Sequence, residues 1–193
     1  MEVSSAPYLL DPVHFGLKDF ESNKRKLQDL YAKFEHEQLD TYNGLPLIEF
    51  KVSQKESYIV LESPTKGIVY FVHLKAEQLL QLHSNSVTQV EVWRRPATPA
   101  VRGLAKFVVF KYLLHRYNFI VSDASQTEEG KRFWLDLLGD AIEAGHKVGV
   151  AFDTNPVDWH DDSTFELWLR FIESEAWGTE INKHFYYRFV IAA

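Results

Sequence analysis

Along residues 17–38 the apolar positions Leu17, Phe20, Leu27, Leu30, Tyr31 and Phe34 recur mostly at helical spacing, with charged residues between them. That pattern predicts an amphipathic helix. The period then shortens. Ile48, Phe50 and Val52 share one face of a strand predicted at 45–52, and Tyr58-Ile59-Val60-Leu61 marks another at 57–62. Ser63-Pro64-Thr65-Lys66-Gly67 supplies turn chemistry. It leads into Ile68-Val69-Tyr70-Phe71-Val72, a continuous apolar run suited to a strand buried on both faces. Residues 75–83 read as a short helix and 87–94 as a further, alternating strand.

Thr98 is a good N-cap and Pro99 suits the first helical position, so a helix is expected from there to about Tyr117. It is apolar nearly all round, as a helix covered on several sides is. A strand at 118–123 follows. Ser125-Gln126-Thr127-Glu128 has capping-box spacing and opens a helix to about Ala144, with Phe133, Trp134, Leu137, Leu138 and Ala141 as its buried stripe. Gly145 is a natural stop. A strand at 147–152, a polar loop, a helix at 164–175 and a strand at 185–191 complete the order. An antiparallel meander followed by alternating helices and strands predicts a mixed α/β fold with at least one parallel crossover. No repeat, low-complexity tract or linker interrupts residues 1–193, which read as a single domain.

Composition narrows the chemistry. The net charge of −6 disfavours nucleic acid as the main partner. Zero cysteines exclude disulfides, thiolate metal sites and a cysteine nucleophile. No apolar run approaches the roughly 20 residues of a membrane span, and no signal peptide is visible at the start. A cytoplasmic protein without membrane contact is expected. The loop at 153–162 clusters Asp153, Asp158, His160, Asp161 and Asp162, yet it lacks EF-hand spacing and the His pair of a zinc site, so no metal is assigned. Asp161, Asp162 or Ser163 serve there as caps for the helix at 164.

Two stretches carry a resemblance. Pro99-Ala100-Val101-Arg102-Gly103-Leu104-Ala105 is similar to the end of an Arg/Gln-x-x-Gly-x-Gly/Ala signature. Ile120-Val121-Ser122-Asp123-Ala124-Ser125-Gln126-Thr127-Glu128-Glu129-Gly130-Lys131-Arg132-Phe133-Trp134 adds a Ser-Asp strand end, a Gln-Thr-x-x-Gly turn and an aromatic pair. Together with the element order they resemble the GNAT acetyltransferase superfamily over roughly residues 87–153, most closely the GNAT-like proteins of bacterial viruses.

The resemblance implies a GNAT-like fold: a central mixed sheet, antiparallel in its N-terminal half, splayed after the fourth strand, with helices on both faces. It implies acetyl-CoA or another acyl-CoA as cosubstrate, lying between the strands at 87–94 and 118–123. The cofactor-binding residues would be Val92, Trp93, Arg102, Gly103, Leu104, Ala105 and Ser122. The diphosphate would rest on the helix start, where free N–H groups and the helix dipole favour an anion. Backbone N–H groups near Val92 or Trp93 would meet the thioester oxygen, and Glu91 would be the base. The implied activity is transfer of an acyl group to a small-molecule or protein amine.

One position departs from that pattern. Phe133-Trp134 stands where the family commonly has an acidic tyrosine, and neither ring can protonate a leaving thiolate. Tyr112 and Tyr117 belong to another helix. The alternative expectation is therefore a catalytically inactive GNAT-like viral protein that binds and modulates a host protein in the host cytoplasm. The C-terminal aromatics (Trp159, Phe165, Trp168, Phe171, Trp177, Phe185, Tyr186 and Tyr187) read chiefly as core, with any remainder forming a protein-binding surface.

Overall fold

A computed structural model of the chain describes residues 8–9, 20–77, 82, 86–95, 97–123, 125–126, 128–152, 155–160 and 187–193. In chain order they form β1 (Tyr8–Leu9), α1 (Phe20–Tyr31), β2 (His36–Tyr42), β3 (Leu45–Lys51), β4 (Glu56–Ser63), β5 (Gly67–Glu77) and β6 (Ser86–Arg94). A 3₁₀ turn (Pro99–Val101) precedes α2 (Leu104–Val108), which runs through a π-helical turn (Val109–Leu113) into α3 (Leu114–Arg116). Then come β7 (Phe119–Ser122), β8 (Ser125–Gln126), α4 (Glu128–Glu143), β9 (Val148–Phe152), β10 (Asp158–Trp159) and β11 (Tyr187–Ala192).

Nine strands build one mixed sheet in the order β10-β9-β11-β7-β6-β5-β4-β3-β2. From β2 to β6 every neighbour is antiparallel. β6 and β7 are parallel, joined by the crossover through α2 and α3. β11 then inserts between β7 and β9, antiparallel to both. The parallel crossover expected from the alternation is therefore β6 to β7. β1 pairs separately with β8.

The apolar run of β5 serves two cores. Ile68 and Phe71 join Leu27 of α1, Phe50 and Val60 on one face. Val69, Val72 and Leu74 join Leu104, Val109, Leu113, Trp134 and Leu137 on the other, the face of α2, α3 and α4. Burying each such side chain contributes roughly 2 kcal/mol, so the run ties the sheet to helices on both sides. Among the described residues no helix is long and apolar enough to cross a membrane.

Several boundaries differ from the sequence expectation. The first helix ends at Tyr31, and residues 36–42 are an edge strand rather than its continuation. β2 escapes the periodic pattern because one side of it faces solvent. Residues 75–77 extend β5 instead of beginning a helix. Thr98 caps only the 3₁₀ turn, with no side-chain capping bond, and the helix proper starts at Leu104. Ser125 and Gln126 pair as strand with Tyr8 and Leu9, so they open no capping box. The strand at 86–94, fourth in the sequence reading, becomes the sixth, because Tyr8–Leu9 and His36–Tyr42 are strands as well. The helix expected at 164–175, its caps and most of the C-terminal aromatics lie outside the described residues.

Candidate functional site

The site grows from an irregularity in β6. Leu74 pairs with Gln89 but His73 pairs with Glu91, so Val90 is an extra, bulged residue. On its other side β6 is matched to β7 only over the four pairs from Ser86↔Phe119 to Gln89↔Ser122. β6 nevertheless runs on to Arg94, held by β5 through Tyr70↔Arg94. From Val90 onward the edge of β6 away from β5 has no strand partner among the described residues. β7 ends at Ser122, so the β6–β7 ladder stops there while β6 continues.

Past the end of β6 the chain builds an open helix start. Val101 N–H donates to Thr98 O at 3.2 Å and Arg102 N–H to Pro99 O at 3.1 Å, closing the 3₁₀ turn. Arg102 (φ −65°, ψ 128°) and Gly103 (φ 73°, ψ −3°) then hold the central dihedrals of a type II turn. Glycine is required at the second of them, since a positive φ strains any residue with a Cβ. Space is short too, for a Cβ on Gly103 would stand 3.3 Å from the Tyr42 hydroxyl. The first turn of α2 contains no acidic residue, and its leading N–H groups point along the helix axis, an arrangement that attracts anions.

The β2–β3 hairpin grips this start from its carbonyl side. Asn43 (φ 48°) and Gly44 (φ 76°) both take positive φ, as a two-residue type I′ turn demands. The turn carries two donors to the helix start: Tyr42 Oη to Arg102 O at 2.6 Å and Asn43 Nδ2 to Ala100 O at 3.1 Å. The carbonyl oxygens of Ala100 and Arg102, which would repel an anion, are thereby occupied. Further along, Asp40 accepts from Lys111 Nζ and from Tyr112 Oη, the latter at 2.7 Å. Arg116 Nη1 donates to the buried Glu49 carboxylate at 2.6 Å. Sequence patterning missed this hairpin, although Asn43-Gly44 is the dipeptide that marks such turns.

The predicted residues divide by environment. Arg102 and Gly103 are exposed, Leu104 is core, and Ala105 is half-buried against that core. Val92 packs toward the α2 side and Trp93 toward Phe71 on the α1 side. Glu91 has a defined register, opposite His73; its side chain lies outside the described residues. Ser122 is fully buried, and its Oγ accepts the Phe189 N–H at 3.0 Å, a bond that helps join β7 to β11.

Trp134 is fully buried in the core and Phe133 packs beside it. Burial and the Asp40 carboxylate push the Tyr112 phenol well above its ordinary value, and burial raises that of Tyr117. Tyr31, on the α1 side, is pushed up to about 12 by burial and by Glu62, to which it donates at 3.2 Å. Such phenols hold their protons tightly. Compared with known proteins, the chain matches no family model, and no curated protein matches its sequence.

Proposed function

We propose that the chain is an acyl-CoA-dependent N-acyltransferase with a GNAT-like fold, acting on a small-molecule or protein amine. The single observation that carries this reading is the end of the β6–β7 ladder at Gln89↔Ser122 while β6 runs on to Arg94, followed by a helix start with no acidic residue in its first turn. An extended, amide-bearing arm fits the open edge of β6, because it would complete the ladder that β7 abandons. A diphosphate fits the turn at Arg102 to Ala105, where Arg102 adds a charge-assisted contact. A thioester carbonyl at the Val92–Trp93 edge would meet backbone N–H donors as negative charge develops on its oxygen. Glu91, just past the bulge, would take the proton of the incoming amine.

Isothermal titration with acetyl-CoA and longer acyl-CoAs tests the reading, with binding heat and a thermal shift expected. Absence of both at millimolar ligand overturns it. Release of free thiol with added amines then measures turnover.

A second reading draws on Trp134, which fills the core where a phenol is needed. In it the chain is a catalytically inactive GNAT-like viral protein that binds and modulates a host protein. Affinity capture from bacterial lysate should then return one stoichiometric partner, and repeated captures without one defeat this version. Acyl-CoA binding without turnover would mark an intermediate case, in which the ligand is structural.

A further inference from the structure

The helical crossover from Leu104 to Tyr117 carries two apolar stripes where a straight helix needs one. Residues four apart share a face of an α-helix. Leu104 and Val108 are buried and four apart; so are Leu113, fully buried, and Tyr117, which packs against the same core. Between Val108 and Leu113 the step is five. The π-helical turn absorbs that extra residue. Phe107 N–H donates to Gly103 O at 3.0 Å and Tyr117 N–H to Leu113 O at 2.8 Å, each four residues back. Leu114 N–H instead reaches Val109 O, five back. The turn is a local defect between two α-helical ends.

A second register is present in the same residues. Ala105, Val109, Leu113 and Tyr117 are spaced by four throughout, so a regular α-helix could turn all of them to the core without a π turn. Ala105 packs against that core even now, and Val109 is buried. Two overlapping stripes are the reason the segment is apolar nearly all round. The observed register buries Leu104 in preference to the smaller Ala105. Contacts outside the core hold it as well. Tyr42 and Asn43 donate to the carbonyls of Arg102 and Ala100. Asp40 accepts from Lys111 and Tyr112, both inside the π turn. On the other flank Lys106 pairs with Asp140 of α4.

We infer that this helix is a two-register element latched by Asp40: releasing the latch lets residues 103–108 turn by one position while the π turn relaxes to α. One position is a rotation of about 100°. Phe107 would then leave Tyr42, whose ring centroid is 4.8 Å away, and Lys106 would leave Asp140. Arg116 stays on Glu49, so the C-terminal end is the fixed one. The step is discrete because packed interfaces repack by whole residues rather than by fractions of one. Asp40 sits on β2 and the moving residues lie beyond β6, so the latch couples the edge hairpin to the backbone that follows β6. Every group involved belongs to the unliganded chain, and the device stands or falls apart from the acyltransferase reading.

NMR of the unliganded protein tests the device. The wild type should show ring-to-ring NOEs between Tyr42 and Phe107. Asp40→Ala combined with Ala105→Leu releases the latch and gives the α register the larger side chain. That double variant should lose the Tyr42–Phe107 NOEs and gain the Hα–HN contacts of an unbroken α-helix across residues 108–113. A double variant that keeps both the ring contact and the π turn overturns the second register. Asp40→Ala alone should show relaxation dispersion on the microsecond-to-millisecond scale of helix register shifts, confined to residues 103–114 and absent from β4 and β5. Flat dispersion across 103–114 in Asp40→Ala overturns the latch. Should the double variant fail to fold, this single substitution decides the matter by itself.

Discussion

Tyr42 donates its phenolic hydrogen to the carbonyl oxygen of Arg102 over 2.6 Å, across a separation of 60 residues. The bond fixes the carbonyl of the residue before Gly103 and so sets which backbone groups of the turn face outward. Tyr42→Phe keeps the ring packed against Phe107, whose centroid is 4.8 Å away, and removes only the donor. A loss of about 1 kcal/mol is expected, read as a lower urea midpoint at unchanged slope.

Gly103→Ala should cost more. A Cβ at φ 73° carries roughly 1–2 kcal/mol of strain, and the Tyr42 hydroxyl stands 3.3 Å from where it would sit. In a Tyr42→Phe background the steric part disappears and the dihedral part remains. The double variant should therefore be more stable than the sum of the two single losses implies, and a double-mutant cycle by urea denaturation measures the coupling.

Glu49 and Arg116 bind β3 to α3, and Glu49 is buried. Arg116→Met strands a carboxylate away from water, so a loss of roughly 3 kcal/mol is expected. Glu49→Gln combined with Arg116→Met removes the charge along with its partner and should recover at least half of that loss. Equal instability of the single and double variants would show that packing, not charge, holds this contact.

Asp40 makes stability depend on pH. Its hydrogen bond from Lys111, then those from Tyr112 and the Thr41 amide, hold its carboxyl well below the usual carboxylate range. A depressed folded value contributes stability that is complete above the unfolded carboxylate value, about 3.9, and fades as pH falls below it. Asp40→Asn should accordingly be less stable than the wild type at pH 7, with the gap narrowing steadily below about pH 4. Urea midpoints across pH 2–7 for the two proteins test this.

How much of this was readable from sequence depended on whether a local pattern carried the information. Ile68 to Val72 announces a doubly buried strand because every position is apolar, and β5 is that strand. The segment His36–Tyr42 does not, since its side chains are set by an edge position and by partners on the helices. The bulge at Val90 is silent for another reason: Val, Glu and Val alternate there as in a regular strand, and only the register with His73 and Leu74 reveals the extra residue. Thr98-Pro99 is a true start signal, but Gly103 interrupts it, so the helix begins one turn late. Ser125 and Gln126 satisfy a capping pattern, yet their backbone pairs with Tyr8 and Leu9, over a hundred positions away. No local window contains that information.

The placement of β11 bears on how the molecule comes to exist. β7 and β9 touch one another only through it. Residues 187–192 are also made after every other strand of the sheet. On the ribosome the meander from β2 to β6 and its parallel neighbour β7 can assemble early, while β9 can meet α4 but has no strand neighbour on the β7 side until β11 is made. The earlier strands wait with an unfilled slot in the middle of the sheet, and the arrival of the last strand decides when the halves become one body.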